Sequence, residues 1–205
     1  MENALKFLFV CCCFGVSLYS YRFSYNRRDC LFLIAGMALT VASDFFLVYR
    51  DRDYTGLYIF SLVHAAYVLR VSENRKRSAL LLAAAFACLL PAYLLTEPLY
   101  AAAVIYACFF IIDVAVNVRS YLYGRTRPKI NRRLTLAGIV LFFICDINVL
   151  IFNLPRYFSA PDAISEAAYT ALWIFYLSSQ LILSVSAFDF SEIFPKFECE
   201  LDKKK

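Results

Sequence analysis

Seven runs of mainly apolar residues, about 4–21, 30–49, 54–70, 78–95, 98–118, 134–154 and 166–188, alternate along the chain with short polar gaps. A hydrocarbon core of about 30 Å takes about 20 residues of helix, with about 17 near the minimum, so each run is long enough to cross. Lipid offers the backbone no hydrogen-bond partner, and no segment alternates as barrel strands do, so every run is expected to be an α-helix. The pattern predicts an all-α integral membrane bundle of seven transmembrane helices forming a single domain over residues 1–205. No Gly/Ser-rich linker marks a boundary, and the gaps leave no room for an appended soluble domain.

Composition agrees. Hydrophobic residues make up 62% of the 205 residues and mean hydropathy is +0.63, far above the roughly 45–50% apolar content of a soluble domain. The net charge of +5 does not point to nucleic acid, because the basic residues cluster in the gaps, where membrane topology places them. With Arg70 counted in the gap it adjoins, the gaps after spans one, three, five and seven hold 17 of the 21 Lys and Arg. Positive residues stay in the cytoplasm, so the N-terminus is expected outside and the C-terminus, ending in Lys203, Lys204 and Lys205, inside. An odd number of spans separates the termini in the same way. The first run resembles a secretory leader, but no small-residue cleavage site precedes Arg22, and it is read as an uncleaved span. Cys11, Cys12, Cys13, Cys88, Cys108 and Cys145 lie inside apolar runs and form no CxxC pair, so they are expected to be reduced packing residues, with no metal site.

Three carboxylates stand inside the spans. A charge at that depth costs several kcal/mol unless it faces protein or water, so Asp44, Asp113 and Asp146 are the candidate site residues. Asp44 lies about 15 residues into span two, roughly 22 Å of helix, and Asp146 about 13 residues beyond Arg133, roughly 20 Å. The two therefore reach similar depth. Gly36 precedes Asp44 by eight residues and Gly138 precedes Asp146 by eight, so each carboxylate shares a helix face with a residue small enough to admit a neighbouring helix. The runs Phe109-Phe110-Ile111-Ile112-Asp113 and Phe142-Phe143-Ile144-Cys145-Asp146 echo one another; coincidence in an apolar chain and an internal repeat both account for this.

Span three carries Gly56, Phe60, His64 and Tyr67 on one stripe. Span five places Asp113 and Asn117 four apart, and span seven aligns Tyr169, Trp173, Tyr176, Gln180 and Ser184. Together these residues are expected to line a polar chamber. Plainer roles stand beside that one. His64 is read equally as an interhelical hydrogen-bonding residue, the span-seven aromatics as packing or interfacial anchors, Asp113 as a partner of Arg119, and Asp44 and Asp146 as an interhelical lock.

The run from Gly36 through Ser43-Asp44 to Leu47, followed by Gly56, Phe60, His64 and Tyr67, resembles the YhhN-like lysoplasmalogenase family of multi-pass membrane proteins. The run Gly138 to Leu150 resembles that family's second motif, a helix with Ser-Asp and a downstream leucine. The likeness covers about four of the seven spans. Ser43 stands where the family usually has glycine and Cys145 where it has serine. Family members commonly have eight helices with both termini cytoplasmic, and this chain reads as lacking one helix near its N-terminus.

The resemblance implies hydrolysis of the vinyl ether bond of a lysoplasmalogen, giving a fatty aldehyde and a glycerophospho-base, in the plasma membrane of a bacterial cell. Acid cleavage of an enol ether needs a protonated carboxyl to deliver a proton to carbon, and an ionised carboxylate to stabilise the resulting cation and activate water. Asp44 and Asp146 are the expected catalytic pair. His64 and Tyr67 are expected to orient it or bind the headgroup phosphate, Asn148 or Asn153 to position water, and Asp113, Asn117, Tyr176 and Gln180 to support the site. No cofactor or metal is expected, and the partner is a membrane lysophospholipid.

Two other classes fit a polar chamber: a proton or small-solute transporter and a non-catalytic lipid-binding protein. Against transport, no two Gly/Pro-broken helices occupy matching positions in the two halves. Retinal proteins are excluded because span seven has no Lys, and membrane zinc hydrolases are disfavoured by a single His.

Overall fold

The computed structural model describes residues 2–50, 54–95, 97–153 and 161–190, the side chains of residues 2, 88–95 and 162 excepted. The expected cytoplasmic tail with Lys203, Lys204 and Lys205, and the packing of Cys88, lie outside what is described. Seven α-helices form among the described residues and no β-strand does: α1 (Glu2–Ser20), α2 (Arg27–Tyr49), α3 (Thr55–Val71), α4 (Arg75–Leu95), α5 (Pro98–Tyr123), α6 (Lys129–Asn153) and α7 (Asp162–Val185). They coincide with the seven apolar runs within a few residues. Local chemistry sets several ends. The Asn26 side chain accepts from the Arg28 and Asp29 amides at 2.9 and 3.3 Å and caps α2, and Pro98 opens α5 where its missing N–H costs nothing.

Five helices, α1, α2, α5, α6 and α7, are long and apolar enough to cross a membrane, and α3 is a shorter apolar helix of 17 residues. Their outer faces expose large apolar side chains such as Leu8, Leu31, Leu62, Ile111, Leu150 and Ile174. Water would penalise so continuous an apolar surface, whereas lipid does not.

Six helices close a ring. α1 packs on α2, α2 on α3, α3 on α5, α5 on α6, α6 on α7, and α7 returns to α1, while α4 lies outside against α5 and, more lightly, α3. Val10, Met37, Val63, Phe110, Phe142 and Leu183 belong to the core inside the ring, and Val68, Leu82, Ile105 and Phe109 form a second cluster among α3, α4 and α5. In lipid, apolar burial gives little net attraction between helices, so close packing and hydrogen bonds must hold them. Small residues provide the approach. A Cβ on Gly36 of α2 would lie 2.5 Å from Tyr67 Cε1 on α3, and one on Gly138 of α6 would lie 2.6 Å from Leu183 Cγ on α7. Serines complete the same two seams: Ser43 Oγ donates to the Gly56 carbonyl at 2.6 Å and Ser179 Oγ to the Gly138 carbonyl at 2.8 Å. Ser20 Oγ donates to the Ser184 carbonyl at 3.1 Å and joins the first helix to the last.

One end of the ring is tied by a buried ionic cluster. Arg70, at the end of α3 and 2% exposed, donates to Asp29 Oδ2 of α2 from Nε at 3.0 Å and from Nη2 at 2.8 Å, and from Nη1 to Ser186 Oγ after α7 at 2.9 Å. Arg127, between α5 and α6, lies 3.0 Å from Asp29 Oδ1 and donates to the Tyr25 hydroxyl at 2.8 Å and to Thr135 Oγ1 of α6 at 3.0 Å. Asn131 Nδ2 donates to the Ser186 and Phe188 carbonyls at 3.0 and 2.8 Å. Burial pushes the Tyr25 phenol up to about 12, with the Arg127 guanidinium opposing, so this hydroxyl stays protonated at any ordinary pH.

Removing one member of a buried ion pair strands the other. Asp29→Ala is expected to lower stability by about 3 kcal/mol or more, against little change for the exposed Arg22→Gln, as measured by thermal unfolding of the detergent-solubilised protein. The close seams give a second expectation. Gly36→Ala forces a methyl into the Tyr67 ring and should cost about 1–3 kcal/mol. Gly15→Ala, with nothing within 4 Å of the added carbon, should leave stability unchanged or raise it by up to about 1 kcal/mol.

Candidate functional site

Asp44 on α2 and Asp146 on α6 each meet a tyrosine from another helix. Asp44 is buried, and its Oδ2 accepts from the Tyr176 hydroxyl of α7 at 2.5 Å. Asp146 is half-buried, and its Oδ2 accepts from the Tyr106 hydroxyl of α5 at 2.6 Å. Both distances are short for O–H···O hydrogen bonds. Among the described residues no hydrogen bond joins the two carboxylates. The rings between them form a chain: Phe142 lies 5.6 Å from the Tyr176 ring and 5.8 Å from Phe60, and Phe60 lies 6.1 Å from Tyr106. The two acids thus share one aromatic-lined interior, each with a phenol of its own.

Asp113 does not pair with Arg119. Six residues turn a helix by about 600°, which leaves the two side chains about 120° apart and about 9 Å apart along the axis. Its partner is His64, the single histidine of the chain, whose Nδ1 lies 2.9 Å from Asp113 Oδ2. Asn117, one turn on, donates from Nδ2 to Asp113 Oδ1 at 2.7 Å and to the Asp113 carbonyl at 3.0 Å. All three side chains are buried. The imidazole lies 4.5 Å from Phe110, 5.3 Å from Tyr106 and 5.4 Å from Phe142, and its Nε2 has no hydrogen-bond partner. Asp113 therefore fixes the ring through one nitrogen and leaves the other facing the aromatic interior that also holds Tyr106, the partner of Asp146.

The remaining expected residues divide. Gly56, Phe60, His64 and Tyr67 form one buried stripe on α3, as their spacing requires. The Tyr67 hydroxyl donates to Met37 Sδ at 3.4 Å deep in the core and touches neither Asp44 nor Asp146. Asn148 and Asn153 donate from Nδ2 to the Ile144 and Val149 carbonyls one turn back, at 2.7 Å each, so their amides serve their own helix. Gln180 is fully buried, four residues from Tyr176, and neither its Oε1 nor its Nε2 has a partner. The span-seven aromatics pack in series, Tyr169 to Trp173 at 6.3 Å and Trp173 to Tyr176 at 5.9 Å. Lys6 Nζ of α1 lies over the Tyr169 and Trp173 rings at 4.6 and 4.3 Å and donates to the Tyr169 hydroxyl at 3.1 Å.

Tyr106 is the site residue that the sequence reading missed. A tyrosine in an apolar span looks like packing, and its partner lies 40 residues away on another helix. One available signal was that Tyr106 and Phe110 are four apart, on the face of α5 that also leads toward Asp113. Among the described residues no group of three or more His, Cys, Asp or Glu side chains could hold a metal ion.

Compared with known proteins, the chain matches the model of the YhhN family over residues 1–187. No curated protein and no solved structure matches it.

The His64 geometry makes a spectroscopic prediction. A carboxylate accepts from Nδ1 only if that nitrogen carries a proton, so ring ¹⁵N shifts in detergent micelles should show a protonated, hydrogen-bonded Nδ1. Asp113→Leu should abolish this signature of a fixed Nδ1 proton.

Proposed function

The chain belongs to the YhhN family, and from that premise we propose that this integral membrane protein is a hydrolase cleaving the vinyl ether bond of a lysoplasmalogen. The observation that carries the reading is the placing of Asp44 and Asp146: two carboxyl groups inside an apolar ring of helices, each anchored by a tyrosine from another helix. Elsewhere in the ring helices are joined without an acid: Ser43 hydrogen-bonds from α2 to α3 and Ser179 from α7 to α6.

In this reading all seven α-helices span the bilayer as one membrane domain, with the N-terminus outside and the ionic cluster of Asp29, Arg70 and Arg127 at the cytoplasmic end. The location is the plasma membrane of a bacterial cell. One of the two aspartates, protonated, delivers its proton to the β-carbon of the enol ether, and the ether oxygen bears the oxocarbenium charge that results. The other, ionised, stabilises that cation and takes a proton from the water that adds to it. A hemiacetal forms; its collapse moves one proton onto the glycerol oxygen and another off the hemiacetal hydroxyl, releasing a fatty aldehyde and a glycerophospho-base.

Tyr176 and Tyr106 orient the two acids. His64, held by Asp113 and Asn117, carries protons at Nε2 beside Tyr106. Gln180 offers an unpartnered amide to an oxygen of the substrate or to water. Tyr67 packs the wall, and Asn148 and Asn153, each with one N–H given to its own helix, offer water a carbonyl oxygen and a second N–H.

Release of aldehyde from a 1-alkenyl lysophospholipid by the protein in nanodiscs tests the assignment. Asp44→Asn and Asp146→Asn are each expected to lower the rate by about 10² or more, the contribution of a positioned acid or base. Tyr176→Phe and Tyr106→Phe should cost roughly tenfold, the value of one orienting hydrogen bond. Full activity in either folded aspartate variant removes the two-acid mechanism, and no release by folded wild-type protein across headgroups and pH removes the hydrolase reading.

A further inference from the structure

Because α4 lies outside the ring, it meets α5 along an open flank rather than in the core. At the end of the molecule where Arg70 and Asp29 meet, the two helices part into a groove of about 600 Å³, lined between Val71 and Ala84 on one side and Val116 and Gly124 on the other. That volume lies in the range of small-ligand sites. None of its lining residues belongs to the set around Asp44, Asp146 and His64.

The lining has two chemical parts. Toward the polar end stand Arg77 of α4 and Arg119 of α5, the hydroxyls of Ser72, Ser78 and Ser120, and Glu73. Among the described residues neither guanidinium makes an ion pair, whereas Arg70 and Arg127, close by in the chain, are fully engaged. One Glu73 oxygen accepts from the Arg125 amide at 3.3 Å. Toward the middle of the helices the wall is apolar and outward-facing: Leu80 is 71% and Leu81 50% exposed, with Ala84 and Val116 beyond.

Two guanidiniums favour a phosphate, which they bind with paired, charge-assisted hydrogen bonds. A carboxylate beside them disfavours a second negative charge and favours a cation. An apolar wall continuous with the lipid-facing surface accepts a hydrocarbon chain. We propose that this groove is a docking site for a zwitterionic glycerophospholipid of the bilayer, with its phosphate on Arg77 and Arg119, its ammonium on Glu73 and an acyl chain along Leu80, Leu81 and Ala84. The site does not depend on the hydrolytic reading, and a lipid held there braces α4 against the ring.

Native mass spectrometry of the full-length protein from detergent, with matched-chain phosphatidylethanolamine, phosphatidylglycerol and diacylglycerol added in turn, tests the proposal. Wild-type protein is expected to retain phosphatidylethanolamine in preference to the other two. R77Q/R119Q should weaken that retention about tenfold or more, whereas Arg22→Gln with Arg28→Gln, exposed charges at the same end, should not. Glu73→Gln, which keeps both arginines, should erase the preference for phosphatidylethanolamine over phosphatidylglycerol. Three results would overturn the proposal: equal retention by wild type and R77Q/R119Q, equal retention of diacylglycerol, or glycerophosphoethanolamine binding as tightly without chains.

Discussion

The guanidinium of Arg70 holds the arrangement together. In lipid, helices gain little by hiding apolar surface from one another, so a directional bond between them counts for more than it would in water. Arg70 reaches Asp29 on α2 and Ser186 beyond α7 from its seat on α3, and Asp29 reaches on to Arg127 between α5 and α6. One carboxylate with two guanidiniums thus fixes the spacing of most of the ring at one end. The opposite halves of α2 and α6, where Asp44 and Asp146 lie, inherit their positions from that end.

Against this frame the two seams α2/α3 and α6/α7 are built alike. In each, a glycine eight residues before the aspartate receives a side chain of the following helix, and a serine hydroxyl crosses to a glycine carbonyl. The direction of the serine bond differs: Ser43 sits on the aspartate-bearing helix, and Ser179 sits on its partner. The carboxylates then turn to tyrosines outside their own seam, Asp44 to α7 and Asp146 to α5. Two similar helix pairs are thereby coupled through aromatic rings rather than through direct contact of their acids.

Much of this was legible in the chain. Span positions follow from a period and a length that the bilayer imposes, and Asp44, Asp113 and Asp146 stood out because charge is costly in an apolar run. The His64 stripe was readable because helical spacing is local information. What spacing along one helix does not reveal is which helix comes alongside, and every misjudged partner traces to that. Asp113 was matched with Arg119 because the two are close in sequence, although helical rotation separates them. Tyr106 went unnoticed because its acceptor lies on α6. Arg70 was counted only as a topological charge and Asp29 was passed over, because both stand at span ends, where a solvated residue and a buried clamp have the same sequence signature.

The ring has a consequence for how the protein is made. Its closing contacts join the first helix to the last, Ser20 to Ser184 and Lys6 to Tyr169, and the Tyr176 that holds Asp44 arrives 132 residues after it. A chain that enters the bilayer from its N-terminus must therefore carry Asp44 through the synthesis of four further helices before the one that brings its partner. Long-range closure of this kind comes late in assembly. Until α7 docks, the partly made bundle has an open side, with Asp44 still without its tyrosine behind it. Truncation before α7 would thus remove together the ring's closing contacts and the tyrosine that holds Asp44.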